Sequence, residues 1–247
     1  MTTTMRVTAA KRVPMDSMRK TALVAGIFYL ITFVSIPTLA LYGPVKHHRD
    51  WILSSGSHTG VLVGAFLEVI VALAGIGTAV TLYPVVKRQN EGLALGFVTS
   101  RVVEGIMIFT GVVSLLSLLT LRQDLGGTAG ANAAALVTTG ASHVAVYNWT
   151  FLLSQSLMPG INALLLGSLL FRSRLVPRFI PVLGLIGGPI LIASVVAALL
   201  RGDHQVTVLA AGFVPVAAWE FSLGVWLVVK GFKPSPITAA LDAPALR

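Results

Sequence analysis

Arg101 and Glu104 stand three residues apart inside a long apolar run, with Leu93–Val98 before them and Gly105–Leu119 after. On a helix, residues three apart share a face, so guanidinium and carboxylate can pair. If that helix crosses a bilayer, both groups lie near its middle, where an unpaired charge is costly and faces the bundle interior. Glu220 sits ten residues before Lys230 in the last apolar run. At about 1.5 Å per residue, Arg101 lies roughly 12 Å deep, Glu104 roughly 16 Å and Glu220 roughly 15 Å. The expectation is one charged layer, with Arg101 held between Glu104 and Glu220. Two carboxylates and one guanidinium leave a net charge of −1, so one carboxyl is expected to hold a proton. Such a layer can be a structural clip that fixes helix register, a proton or ion relay, or an anion site centred on Arg101.

Three amides form a second pattern. Asn148, Gln155 and Asn162 are spaced by sevens, which on a helix gives one polar stripe drifting only about 20° per step. Gln155 falls near mid-membrane and is expected to reach the charged layer. Pro159 follows it by four and frees a backbone carbonyl that must be satisfied inside the bundle. A third pattern is Glu68, roughly 12 Å in from the opposite end of its run, with His58 and His143 near that end. A Glu/His group of this kind can ligate zinc, and Glu68, His58 and His143 are the candidates for a polar or metal cluster at the outer face. No HExxH spacing is present, and the adjacent His47 and His48 point different ways, so the metal, if any, stays open. There is no Walker glycine loop, GxSxG elbow or nucleophile–base pair. Without cysteine there is no thiolate chemistry, disulfide or cysteine-ligated metal. No catalytic residue and no cofactor are predicted.

These residues need elements to hold them. The chain has 55% hydrophobic and 11% charged residues and a mean hydropathy of +0.86, whereas a soluble domain is about a quarter charged. So few charges cannot cover a water-facing surface. Six apolar runs, at about 21–42, 60–86, 93–119, 143–171, 179–200 and 205–229, are each long enough for a core of roughly 30 Å. The expected fold is all-α: a polytopic membrane protein, one six-transmembrane-helix bundle over 21–230. Residues 1–20 read as a disordered basic tail and 231–247 as a second tail. A segment at 131–141 reads as a short surface helix, and Gly43–Thr59 as a loop. Trp51 and Trp149 fit one aromatic belt and Trp226 the other, while Trp219 reads as core.

The net charge of +9 is placed at the ends of apolar runs, which argues for anionic lipid headgroups as partners and against nucleic acid. Lys and Arg number thirteen on the side of both tails and four on the other, which puts both termini in the cytoplasm and the protein in the cell membrane.

Three segments in order, Arg101-Val-Val-Glu104, Phe171-Arg-Ser-Arg-Leu-Val-Pro-Arg178 with Gly184-Leu-Ile-Gly-Gly188, and Trp219-Glu220-Phe-Ser-Leu-Gly-Val-Trp226 leading to Lys230-Gly231, resemble a bacterial six-span membrane family, domain of unknown function 4386. The resemblance covers about residues 17 to 233. It implies an integral membrane protein and places Arg101, Glu104 and Glu220 at motif positions, but it supplies no activity or ligand. The chain therefore reads as an integral membrane protein with an intramembrane Arg/Glu layer joining spans three and six. The rival readings are a small-molecule or proton-coupled transporter, a membrane-embedded metal-dependent hydrolase at the outer face, and a membrane subunit or sensor acting through a partner.

Overall fold

The computed structural model describes residues 16–125, 127, 130–202 and 210–238. No strand occurs among them, and six helical segments are long and apolar enough to cross a membrane. The first span, Ser17–Leu41, is broken. Helix α1 (Ser17–Ile31) runs into a single 3-10 turn, Thr32–Ser35, and Pro37 precedes the short α2 (Thr38–Leu41). The second span is α4 (Thr59–Val86) and the third is α5 (Glu91–Leu125). The fourth is one long unit: α6 (Ala133–Leu152), a π-helical turn at Leu153–Leu157, and α7 (Met158–Ser173). Helices α8 (Phe179–Leu200) and α9 (Ala210–Val229) complete the set. The segment at 131–141 is thus not a separate surface helix. From Ala133 it begins the fourth span, with Leu136 and Gly140 buried.

Each span packs on the next in chain order, and α9 packs back on α1, so the six close into a ring. Without a hydrophobic drive between helices in lipid, close backbone approach and van der Waals fit hold such a ring together. Glycines set that approach. A Cβ on Gly188 would lie 2.8 Å from the Gly160 carbonyl oxygen, and one on Gly184 would lie 2.7 Å from the Trp219 indole. Trp219 is fully buried against this glycine.

The half of the ring nearest the start of α1 and the end of α9, here the terminal face, is a dry core. Ala25, Leu82, Phe97, Leu166, Leu170 and Leu223 all belong to it. Arg19 donates to the carbonyls of Leu227 (2.8 Å) and Val228 (2.5 Å), which otherwise lack partners at the end of α9. It is therefore a helix cap and not part of a loose tail. The chain after α9 is also anchored: the Lys233 amide donates to the Leu175 carbonyl at 2.7 Å, and the Ser235 hydroxyl to the Ser173 carbonyl. Residues 1–15 and 239–247, the rest of the two expected tails, and the start of the sixth run at 203–209 lie outside the described residues.

The far face is built differently. Gly43–Thr59 is no open loop. It forms α3 (Gly43–His47) and a 3-10 segment, Arg49–Leu53, whose Trp51 and Ile52 are buried. Trp51 is not a belt residue; the Arg122 guanidinium stacks 4.0 Å from its ring centroid and donates to the Ser54 and Gly56 carbonyls. That contact explains why α5 continues beyond the apolar run to carry Arg122.

Two glycine substitutions test this packing. Gly184→Ala should destabilise the protein by about 1–3 kcal/mol, because the methyl overlaps Trp219. Gly96→Ala, whose methyl would meet nothing closer than 3.6 Å, should be neutral or stabilising by up to about 1 kcal/mol through helix propensity. Thermal unfolding in detergent compares them.

Candidate functional site

Arg101 projects from the middle of α5 and is 3% exposed. Its Nη1 lies 3.0 Å from Glu104 Oε2, one helical turn on, and its Nη2 lies 2.5 Å from Glu220 Oε1 on α9. Spans three and six are not neighbours in the ring, so this pair crosses its interior. Glu104 is also bound by Asn162 of α7, whose Nδ2 donates to Oε2 at 2.7 Å. The rings of Tyr29 and Phe97 stand 5.6 and 5.8 Å from the guanidinium carbon, within cation–π range. On α4, Gly75 packs beside the guanidinium, its Cβ position 3.8 Å from Nη1. Five of the six spans thus contribute to the group around one arginine.

The group is not fully enclosed. A cavity of about 140 Å³ reaches Arg101, Glu104 and Glu220 from the far half. Its walls include Thr32 and Ile36 from the broken part of span one, Pro159 of α7, and Phe213 and Ala217 of α9. Phe213 and Ile36 are themselves exposed. The 3-10 turn after Ile31 supplies part of the cavity lining, through Thr32, Phe33 and Ser35. Glu220, with its side chain 13% exposed, is the more open of the two carboxylates.

A second buried carboxylate lies in the far half. Glu68 is 1% exposed and accepts from Tyr147 (2.8 Å), Gln155 (3.0 Å) and Tyr42 (3.4 Å). Gly64 makes room for the Tyr42 ring on α4. With three donors from three segments, Glu68 is held as buried carboxyls must be.

The three amides do not act as one stripe. Asn162 serves Glu104, Gln155 serves Glu68 while lining the cavity beside Arg101, and Asn148 lies in a separate pocket near Lys46. The physical reason is the π turn at Leu153–Leu157. Its i→i+5 bonding makes a wider turn with less rotation per residue, which shifts the azimuth of Asn162 relative to Asn148, and it sits just before Pro159, which has no N–H for the ordinary helix ladder. Seven-residue spacing assumes an unbroken helix, so the sequence pattern could not show this.

The expected outer-face cluster does not assemble either. Glu68 is occupied by two tyrosines and an amide, His143 Nδ1 lies 3.1 Å from Ser114 Oγ, and His58 stands at the N-cap position of α4 without a side-chain capping bond. No group of three metal-ligating side chains forms among the described residues. Tyr42 and Tyr147 are the site residues that sequence reading missed. Tyrosines in apolar runs carry no charge to flag them, and only the fold brings both to Glu68.

The two carboxylates of the Arg101 group should differ on mutation. Glu104→Gln leaves Arg101 short of its most enclosed partner and should cost about 3–5 kcal/mol, the range for breaking a buried pair. Glu220→Gln, beside the cavity and with Arg101 still holding Glu104, should cost measurably less than Glu104→Gln. Replacing Arg101, Glu104 and Glu220 together by Met, Gln and Gln should recover much of the loss from Glu104→Gln. Thermal unfolding in detergent reads all three.

Comparison with curated proteins and with solved structures gave no match to the chain. Residues 24–231 match the family described as Domain of unknown function (DUF4386), a stretch that holds most of the first span, the other five whole and both buried carboxylate groups. The chain belongs to that family.

Proposed function

We propose that the chain is a transporter of a small polar molecule in a cell membrane, coupled to protons, with both termini in the cytoplasm. The observation that carries this reading is the cavity that ends on Arg101, Glu104 and Glu220. A purely structural clip has no use for such access. The cavity's walls lie on the far side of the charged layer and closely packed apolar side chains lie on the terminal side, an asymmetry that suits a site reached from one side at a time. The thirteen-to-four distribution of Lys and Arg supports the orientation.

The charge count supplies the coupling. With both carboxyls ionised the layer carries −1, which a proton or a cationic substrate offsets. A proton on Glu220 releases that carboxyl from Arg101, which keeps Glu104. What the cavity holds and what Glu220 carries are therefore linked, and each biases the other. The volume limits the substrate to a small molecule, neutral or cationic. A metal hydrolase at the far face is disfavoured by the separation of Glu68, His58 and His143.

The absence of native cysteine makes the test direct. Ala217→Cys, on the cavity wall, should react with a membrane-impermeant thiol reagent from one face only, and Ala163→Cys, in the core, should not. In proteoliposomes with a trapped pH dye, the wild type should carry protons faster than protein-free vesicles, and Glu220→Gln should lose that excess. An unreactive Ala217→Cys together with wild-type flux equal to protein-free vesicles sinks the reading.

A further inference from the structure

The basic run Lys46-His47-His48-Arg49 takes no part in the Arg101 layer. The fold places it at the rim of a different cavity, of about 170 Å³, between the α3 region and α6. Lys46, His48 and Arg49 line one side, and the Asn148 amide another. Ile52, Leu118 and Val144 give the cavity an apolar wall. The two cavities share no lining residue.

Lys46 is the informative member. Its ammonium lies 5.3 Å from the centroid of the Tyr147 ring and 5.6 Å from that of Phe151. Among the described residues no carboxylate lies within ion-pair distance of it. The negative group that acts on it is Glu68, which is bonded to the Tyr147 hydroxyl and so lies at the far edge of that ring. Burial pulls the Lys46 ammonium below the ordinary lysine range, with Glu68 acting in the opposite sense. Arg49 is exposed, and no ion pair to it occurs among the described residues. Lys46, Arg49 and Asn148 thus line one space, and among the described residues no carboxylate side chain lines it. Lysine supplies a point charge, and arginine two parallel donors matched to an oxyanion.

We propose that this cavity is a binding site for a phosphate group, taken either as free phosphate or as the headgroup of an anionic phospholipid. Lys46 and Arg49 neutralise the phosphate, and Asn148 donates to it. The apolar wall beside the cations suits a phosphate carried on an apolar body, and the cavity sits at the ends of the spans, the level at which lipid phosphates lie. Occupancy would hold α3 against α6 and, through the Tyr147 ring, fix the position of Glu68. The site does not depend on the transport reading, because it stands on different residues and a different cavity.

Thermal unfolding of the delipidated full chain in neutral detergent tests it, with Lys46→Gln and Arg49→Gln beside the wild type. Arg49 is exposed, so its variant keeps the fold even if Lys46→Gln does not. Ligand at a hundredfold excess over Kd should raise the Tm by about 5 °C or more. A rise with inorganic phosphate, absent with chloride at equal ionic strength and lost in Arg49→Gln, identifies a free-anion site. A rise only with added phosphatidylglycerol, weaker with phosphatidylcholine and lost in Arg49→Gln, identifies a headgroup site. No rise with either ligand, or a rise that Arg49→Gln keeps in full, overturns the proposal.

Discussion

A guanidinium in apolar surroundings is tolerated only as part of a group, and the group around Arg101 joins span three to span six across the ring as well as to its neighbour, span four. Glu104 lies one turn away on the same helix, Glu220 on the opposite side of the ring, and Asn162 on a third span. Each partner would itself be costly without the others. The rest of the ring depends on this constraint. Spans three, four and six must keep their rotation and depth, because a shift of one residue in any of them would turn a charge toward lipid.

The glycines set how closely the spans approach. At Gly160 and Gly188 the backbones of α7 and α8 touch, and Gly184 receives the face of Trp219. These contacts make the terminal half dense and dry. The far half departs from regular helix twice, at the break after Ile31 and at the π turn of Leu153–Leu157. Both departures border the cavity that reaches the charged layer. Irregular backbone at membrane depth is sustained where it is buried in protein or lines a cavity, and here it does the latter.

Gln155 joins the two polar groups of the interior. It is bonded to Glu68 and faces the cavity that ends on Glu220. A proton or substrate entering from the far face would meet this amide before the charged layer. The π turn gives Gln155 a position that an ordinary helix would not, since the same residue on an unbroken α-helix would follow Asn148 and Asn162 around one stripe.

The sequence by itself determined the solvent, the number of spans and the residues that had to be paired. Long apolar runs can be satisfied only as spanning helices, and a charge at mid-span must find an opposite charge at its own depth, so helical rise alone matched Arg101 with Glu104 and Glu220. Only the tertiary structure decided what depends on azimuth and on helix irregularity. It divided Asn148, Gln155 and Asn162 among three environments, gave Glu68 to Tyr42 and Tyr147 in place of His58 and His143, and buried Trp51 beneath Arg122. Depth along a span is linear in residue number and can be read from the chain. The direction a side chain faces is set by breaks, π turns and neighbouring helices, which a count of residues does not contain.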